Sequence, residues 1–449
     1  VPGLLGLSAP RNYLILAQNN HELRATGGFI SAVGLLHFDK GLISTTGFHD
    51  SYRFDEPAKP YSPPPKTLAW YMWAGVWLLR DANWSPDFPT SAGVAEDLYR
   101  LRQGVAVDGV LALDLMAVED ILRAIGPLYL QAYSEVVSEE NVIDKVKLYW
   151  SPPPGEEQDR EWWSHRKDFL AALAEAVFAE MREGLDARQT VNLLRALGQS
   201  LEEKHLLIYL NDPAAWRLLE EKNWDGAIRS TEGDYLLVVD TNVGFNKVDP
   251  HVERAIDYQV VIDQDGRAHS EVRVTYWNES KKKVKECVQE ARHEPTYDQM
   301  MEGCYWDYLR LYVPEGSLMT GATDIPLPEG SLPRRLGGAG ADEGGPIVGP
   351  PESSKEVLSH FFVVPPGQEL EVRFAYDLPA RVFQKADGRY NLLVQKQPGT
   401  QAVPFRFSII VPPGLTVVEG EPKPTWSGSA AVGYEVELST DQRFELVLR

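Results

Sequence analysis

Two domains of different texture are what this chain predicts. An α/β (α+β) domain, with a central mixed sheet covered by helices, should occupy residues 1–247, and an all-β sandwich residues 248–449. Three observations point there. The 449 residues exceed what one hydrophobic core ordinarily serves. Before residue 248, strand-like and helix-like segments alternate, the pattern of a sheet covered by helices. After it, short runs of alternating polar and apolar residues follow one another between turn signals.

In the first domain, Tyr13–Ala17, Phe29–Phe38 and Val107–Leu113 read as strands, rich in branched and apolar residues. LMAVEDILRAI follows Asp114, a plausible N-cap, with Leu115, Val118, Ile121, Leu122 and Ile125 at helical spacing until Gly126-Pro127 stops it. SEENVIDKVKLYW, RKDFLAALAEAVFAEMREGL and ARQTVNLLRALGQSLEEK supply further helices, while HLLIYL and DYLLVVD look like buried strands. In the second domain, AIDYQVVIDQDGRAHSEVRVTYW signals a hairpin around Asp265-Gly266. ELEVRFAYDLP, YNLLVQKQ, FRFSIIVP and YEVELS continue the alternation, which suits an antiparallel sandwich of immunoglobulin-like layout. The Gly/Pro-rich stretch 326–355 should be a long exposed loop.

Composition narrows the function. With 43% hydrophobic and 24% charged residues the chain reads as a folded soluble protein. Its 65 acidic against 44 basic residues, net −21, argue against a broad nucleic-acid surface. No stretch has the roughly 18 to 20 apolar residues of a membrane span. The chain starts at Val1 without Met, and the expectation is a membrane anchor or signal removed ahead of it. Cys287 and Cys304 are compatible with one disulfide or with a free buried pair. No CxxC or HExxH suggests zinc, and no Gly-rich fingerprint suggests a nucleotide or redox cofactor.

Unusual residues gather in the first domain. In NNHELRATGGFISAVGLL, Arg24 precedes Thr26-Gly27-Gly28 at the edge of a strand, where glycines weaken pairing unless the chain must turn or something must come close. LLRDANWSPDFP packs Arg80, Asp81, Asn83 and Asp87 together. Such density suits either Mg²⁺ or a loop rich in Asx turns. KTLAWYMWAGVWLL concentrates Trp70, Trp73 and Trp77 as core, as a groove for a lipid chain, or as a bilayer-interface contact. Arg160 and Arg166 flank Trp162-Trp163; six residues turn a helix by about 600°, so they share a site only if Arg160 precedes the helix.

NNHELRATGGF, RDANWSPDFP, VDGVLALD, the IGP after its helix, TNVGFNKVD and VQKQPGT together resemble a bacterial family known as domain of unknown function 4012, over nearly the whole chain. The first domain also resembles, over about 180 residues, the LytR-CpsA-Psr family of extracytoplasmic enzymes, which move glycopolymers from a polyprenyl diphosphate carrier onto the cell wall. YLILAQNN with ELRATGGFISAVGLL parallels that family's first strand, Arg-Ser-Asp-Thr segment and next strand. STTGFHDSY is similar to its Pro-Arg-Asp-Thr segment, VDGVLALDLMAVEDILRAIGPLYL to its strand–helix–strand element, and DREWWSHRKDFLAALAEAV to its Arg…Arg-Gln helix start. This sequence departs from the family at Ala25-Thr26, which replaces a metal-binding Asp, at His49, which replaces an arginine, and at Lys167, which replaces the Gln; Arg80-Asp81 stands where that family has no such pair, which points to redistributed basic and acidic groups.

The resemblance implies a cleft holding a polyprenyl (di)phosphate-linked glycan. Arg24, Thr26, Gly27, Gly28, Arg80, Arg160 and Arg166 would cradle the phosphates. Arg24, Asp50, Arg80 and Asp81 would serve catalysis, Asp50, Asp81 and Asp87 would take Mg²⁺, and Trp70, Trp73 and Trp77 the lipid. The implied protein is extracytoplasmic, at the bacterial cell surface or membrane-anchored, and works on a cell-wall polymer. The alternatives are a non-catalytic binder of lipid-linked glycan and a structural component of envelope assembly.

Overall fold

The computed structural model describes residues 2–55, 60–152, 162, 167–291, 294–337, 345–384 and 388–449. It is a mixed α/β structure that divides into two compact units. The first comprises Val1–Ala69, Ala74–Ala227 and Arg292–Met301; the second comprises Trp70–Trp73, Ile228–Ala291 and Glu302–Arg449.

The first unit is built on a five-stranded sheet. Its strands are β1 (Arg11–Asn19), β2 (Phe29–Asp39), β3 (Leu42–Asp50), β4 (Gly109–Leu113) and a last strand, Leu206–Leu210, in the order β3-β2-β1-β4-last. β1 and β4 run parallel, with Ala17 opposite Leu113, and every other pair is antiparallel. The parallel pair needs a crossover, which the helix Phe88–Gln103 provides, capped by Asp87 and closed by left-handed Gly104. Both faces are covered. Leu14, Leu16 and Val110 pack with Phe88 and Ala92, while Tyr13 and Ile15 pack on the other side with Phe178. As the sequence anticipated, Asp114 caps the helix Leu115–Ile125 by accepting from the amides of Met116 and Ala117, and Gly126 follows at φ 94°. No helix among the described residues is long and apolar enough to cross a membrane.

The second unit has two sheets whose apolar side chains form one core. The hairpin expected around Asp265-Gly266 joins Val252–Ile262 to Ala268–Asn278. Two findings depart from expectation. DYLLVVD, assigned above to the first domain, is the wholly buried strand Asp234–Val239 of this unit, so the composition shift at 248 falls inside the unit. The sheets are also mixed: Asp234–Val239 lies parallel to Arg389–Gln395, and Val252–Ile262 parallel to Val403–Ile410. Both partners lie more than a hundred residues along the chain, beyond the reach of turn signals. The 326–355 stretch is not simply an exposed loop either. Leu327, Ser331 and Leu332 are buried, and the buried Gln289 side chain accepts from the Leu332 amide at 2.9 Å.

Asp234 is fully buried on the second unit's central strand. Its carboxyl accepts from the hydroxyls of Tyr258, at 2.5 Å, and Tyr390, and from the Tyr235 amide at 2.7 Å. Burial outweighs those donors and lifts its pKa from 3.8 to about 6. The folded state therefore holds this proton more tightly than the unfolded chain. Its contribution to stability is full below pH 4 and is lost as pH rises through about 6, a change of roughly 3 kcal/mol. Asp234→Asn should remove that slope. Urea midpoints at pH 4, 5, 6 and 7 should show the variant gaining on the parent as pH rises; a constant difference contradicts this.

Candidate functional site

The loop between β1 and β2 carries the residues that the sequence singled out, and the structure shows what its glycines are for. Gly28 packs against the end of β1: a Cβ there would lie 2.3 Å from the Asn19 carbonyl carbon. Its amide donates to Gln18 Oε1 at 2.7 Å, and its carbonyl accepts from Asn83 Nδ2 at 2.8 Å. Gly27, at φ 133°, donates to the Arg24 carbonyl. This corrects the expectation that the two glycine amides face a phosphate; they are engaged within the loop. Gly28→Ala should cost about 1–3 kcal/mol, because backbone rather than a flexible side chain must move. Gly93→Ala, in the helix Phe88–Gln103 with open space around it, should stabilise by about 0.5–1 kcal/mol. Chemical denaturation of both variants checks the pair.

Arg24 is 1% exposed; it donates to Glu22 Oε1 at 2.9 Å and lies 5.7 Å from the Phe29 ring. Phe29 and Tyr52 are 6.2 Å apart, and further cations gather on this pair of rings. Arg80 lies 4.5 Å from the Tyr52 ring centroid, is paired with Asp55, and has its Nε 3.8 Å from Asp81. Lys167 lies 5.5 Å from Phe29 and 5.1 Å from Tyr52, and donates to Asp50 Oδ1 and the Ser31 carbonyl, each at 2.8 Å. Asp81 is buried, and burial pushes its carboxyl pKa up against the pull of Arg80 and then Arg24, with Glu22 adding to the rise. Residues remote in sequence thus meet at one place: Arg24, Asp50, Arg80 and Asp81. Three cations there face four carboxylates (Glu22, Asp50, Asp55, Asp81) among the described residues.

Neutral polar atoms complete the site. Gln18 Nε2, Thr26 Oγ1, Ser51 Oγ and Asn83 Oδ1 are buried and make no hydrogen bond among the described residues. Four such atoms around one loop are unusual in a folded interior, where nearly every buried polar atom finds a partner.

Other expected members lie elsewhere. Asp87 is a helix cap, accepting from the Thr90 amide at 3.2 Å and hydroxyl at 2.5 Å. Among the described residues no group of three His, Cys, Asp or Glu is placed to hold a metal. The expected Mg²⁺ set of Asp50, Asp81 and Asp87 is not brought together among the described residues: Asp50 is held by a lysine, Asp87 caps a helix, and Asp81 faces Arg80. Trp77 donates to the Asp81 carbonyl and packs in the first unit, while Trp70 and Trp73 belong to the second, Trp73 being 48% exposed. Arg160 and Arg166 lie outside the described residues. Cys287 and Cys304 form a disulfide.

Sequence reading passed over Lys167, Gln18, Ser51 and Tyr52. Lys167 was legible only as the replacement for a Gln, and no local pattern marks a lysine as buried.

Residues 8–149 match the model of a family described as "Protein of unknown function (DUF4012)". No curated protein matches the chain. Among solved structures it is similar to a Streptococcus agalactiae protein at 13% identity and TM-score 0.32, covering 49% of this chain and 76% of that one. A Listeria innocua protein gives 9% and 0.27, covering 52% and 86%. The M1 zinc metallopeptidase of Deinococcus radiodurans gives 10% and 0.22, covering 44% and 42%. Scores this low carry no argument about function.

Proposed function

We propose that the first unit is a LytR-CpsA-Psr-like domain that binds a polyprenyl (di)phosphate-linked glycan beside the β1–β2 loop. The second unit, read as an immunoglobulin-like sandwich, would serve envelope assembly. The observation that carries this is the set of buried polar atoms without hydrogen-bond partners, next to three gathered cations. Neutral donors and acceptors suit sugar hydroxyls and phosphate oxygens. Arg24, Arg80 and Lys167 would supply charge-assisted bonds of roughly 1.5–3 kcal/mol each. Extracytoplasmic placement at the cell surface, anchored to the membrane, belongs to the same proposal, and the disulfide supports it, since such bonds persist in oxidising compartments. Transfer of the glycan to a cell-wall acceptor is the reaction that the resemblance implies.

A second reading has its own observation. Each of the three cations already faces a carboxylate, the arrangement of a brace in a structural envelope component. Cosedimentation with vesicles carrying a polyprenyl diphosphate-linked glycan separates the two. Binding that Thr26→Val and Arg80→Gln each weaken by ten-fold or more supports the first. No binding by the parent protein leaves only the brace.

A further inference from the structure

A second polar device lies at the same end of the first unit's sheet. Asp114 immediately follows β4, and His205 immediately precedes the strand Leu206–Leu210, its antiparallel neighbour. Asp114 Oδ1 caps a helix, while its Oδ2 lies 2.7 Å from His205 Nδ1. The Asp114 amide also donates to the His205 carbonyl at 3.1 Å, which fixes the two main chains together. Both side chains are more than nine-tenths buried. The other ring nitrogen, Nε2, makes no hydrogen bond among the described residues. A neutral imidazole that donates its Nδ1–H to a carboxylate has its lone pair on Nε2. A brace between helix cap and strand would need Nδ1 alone.

Position gives this nitrogen a task. β1 and β4 are the parallel pair, and their carboxyl ends carry Gln18-Asn19 and Asp114. Ligands of α/β sheets bind at that end. His205 stands two strand spacings from Asn19, about 10 Å across the sheet.

We propose that His205, oriented by Asp114, is the proton acceptor for a hydroxyl-bearing acceptor that attacks the lipid-linked diphosphate. This rests on the binding reading above and adds a reaction to it. The acceptor oxygen bonds to the glycan-side phosphorus, and its proton passes to His205 Nε2. The bond from that phosphorus to the bridging oxygen breaks, so polyprenyl monophosphate leaves with the electron pair. His205 touches the reacting hydroxyl; Asp114 is a positioning residue.

The test measures glycan transfer to a soluble sugar acceptor and, in parallel, vesicle cosedimentation. His205→Ala should lose 10²–10⁴-fold in turnover with carrier binding unchanged, and added imidazole should restore part of the rate. Asp114→Asn, which keeps a capping side chain, should lower kcat at least ten-fold without raising KM. His205→Gln, with thermal melting as the fold check, guards against a cavity effect. Full turnover in both His205 variants overturns the dyad and leaves the binding reading intact. A parent protein that binds the carrier but transfers nothing also overturns the dyad. Absence of binding overturns both.

Discussion

Asp240→Ala is expected to lower the stability of the second unit by about 3–5 kcal/mol, the cost of stranding one member of a buried ion pair. Asp240 is 1% exposed. Its carboxylate is paired with Arg254 and accepts from the Tyr276 hydroxyl at 2.6 Å. Its amide and carbonyl are clamped by the Gln397 side chain at 2.9 and 2.7 Å. Asp307 lies beside it, fully buried, and burial followed by the neighbouring Asp240 pushes its carboxyl well above the usual range. Burial and the neighbouring carboxylate both favour the protonated form of Asp307, while Arg254 faces Asp240. A cavity of about 20 Å³, roughly one water, adjoins Asp240 and Arg254, so the pair is not wholly sealed. Asp307→Asn is the contrasting variant. It keeps an oxygen for the Thr241 amide, now bonded at 2.8 Å, and relieves the like-charge contact with Asp240. Its expected change is within about 1 kcal/mol. Urea unfolding at pH 7 compares them, and equal losses would show that the two carboxyls carry equal weight in the cluster.

Lys167→Met is the second large effect, again about 3–5 kcal/mol, this time in the first unit. Lys167 and Asp50 are 7% and 8% exposed and 2.8 Å apart. Methionine keeps the bulk over Phe29 and Tyr52 but removes the counter-charge from Asp50. Adding Asp50→Asn should recover most of the loss, because a neutral amide still accepts from the Tyr52 amide, now bonded to Asp50 at 3.0 Å. The double-mutant cycle should give a coupling of about 2–3 kcal/mol. Additive losses would mean that the pair is screened. The same variants bear on function. If the double variant is stable and still binds the lipid-linked diphosphate, Arg24 and Arg80 suffice as its cations; if it is stable and binding is lost, Lys167 belongs to the cradle.

Much of the architecture is local chemistry, and that much is legible in the residues. Alternation and branched side chains marked β1, β2 and β4. Asp114 and Gly126 bracketed a helix because a carboxylate can satisfy free amides and a glycine can leave the helical region. Asp265-Gly266 announced a hairpin for similar reasons. The meeting of Arg24 with Arg80 was not given by family resemblance, since the resembled family has no counterpart of Arg80-Asp81, and neither residue's neighbours point to the other.

What local chemistry could not supply is partnership. DYLLVVD is apolar enough for either core, and only its pairing with Tyr305–Pro314 and Arg389–Gln395 assigns it to the second unit. Thr26-Gly27-Gly28 is compatible with ligand approach or with packing on β1, and the 2.3 Å between a Gly28 Cβ and Asn19 selects the latter for that glycine. Lys167 reads as a surface lysine until Asp50 and Ser31 are brought to it. The physical reason is common to all three. Periodicity and capping involve groups a few residues apart, whereas burial, charge pairing and sheet order depend on groups that meet only once the chain has folded.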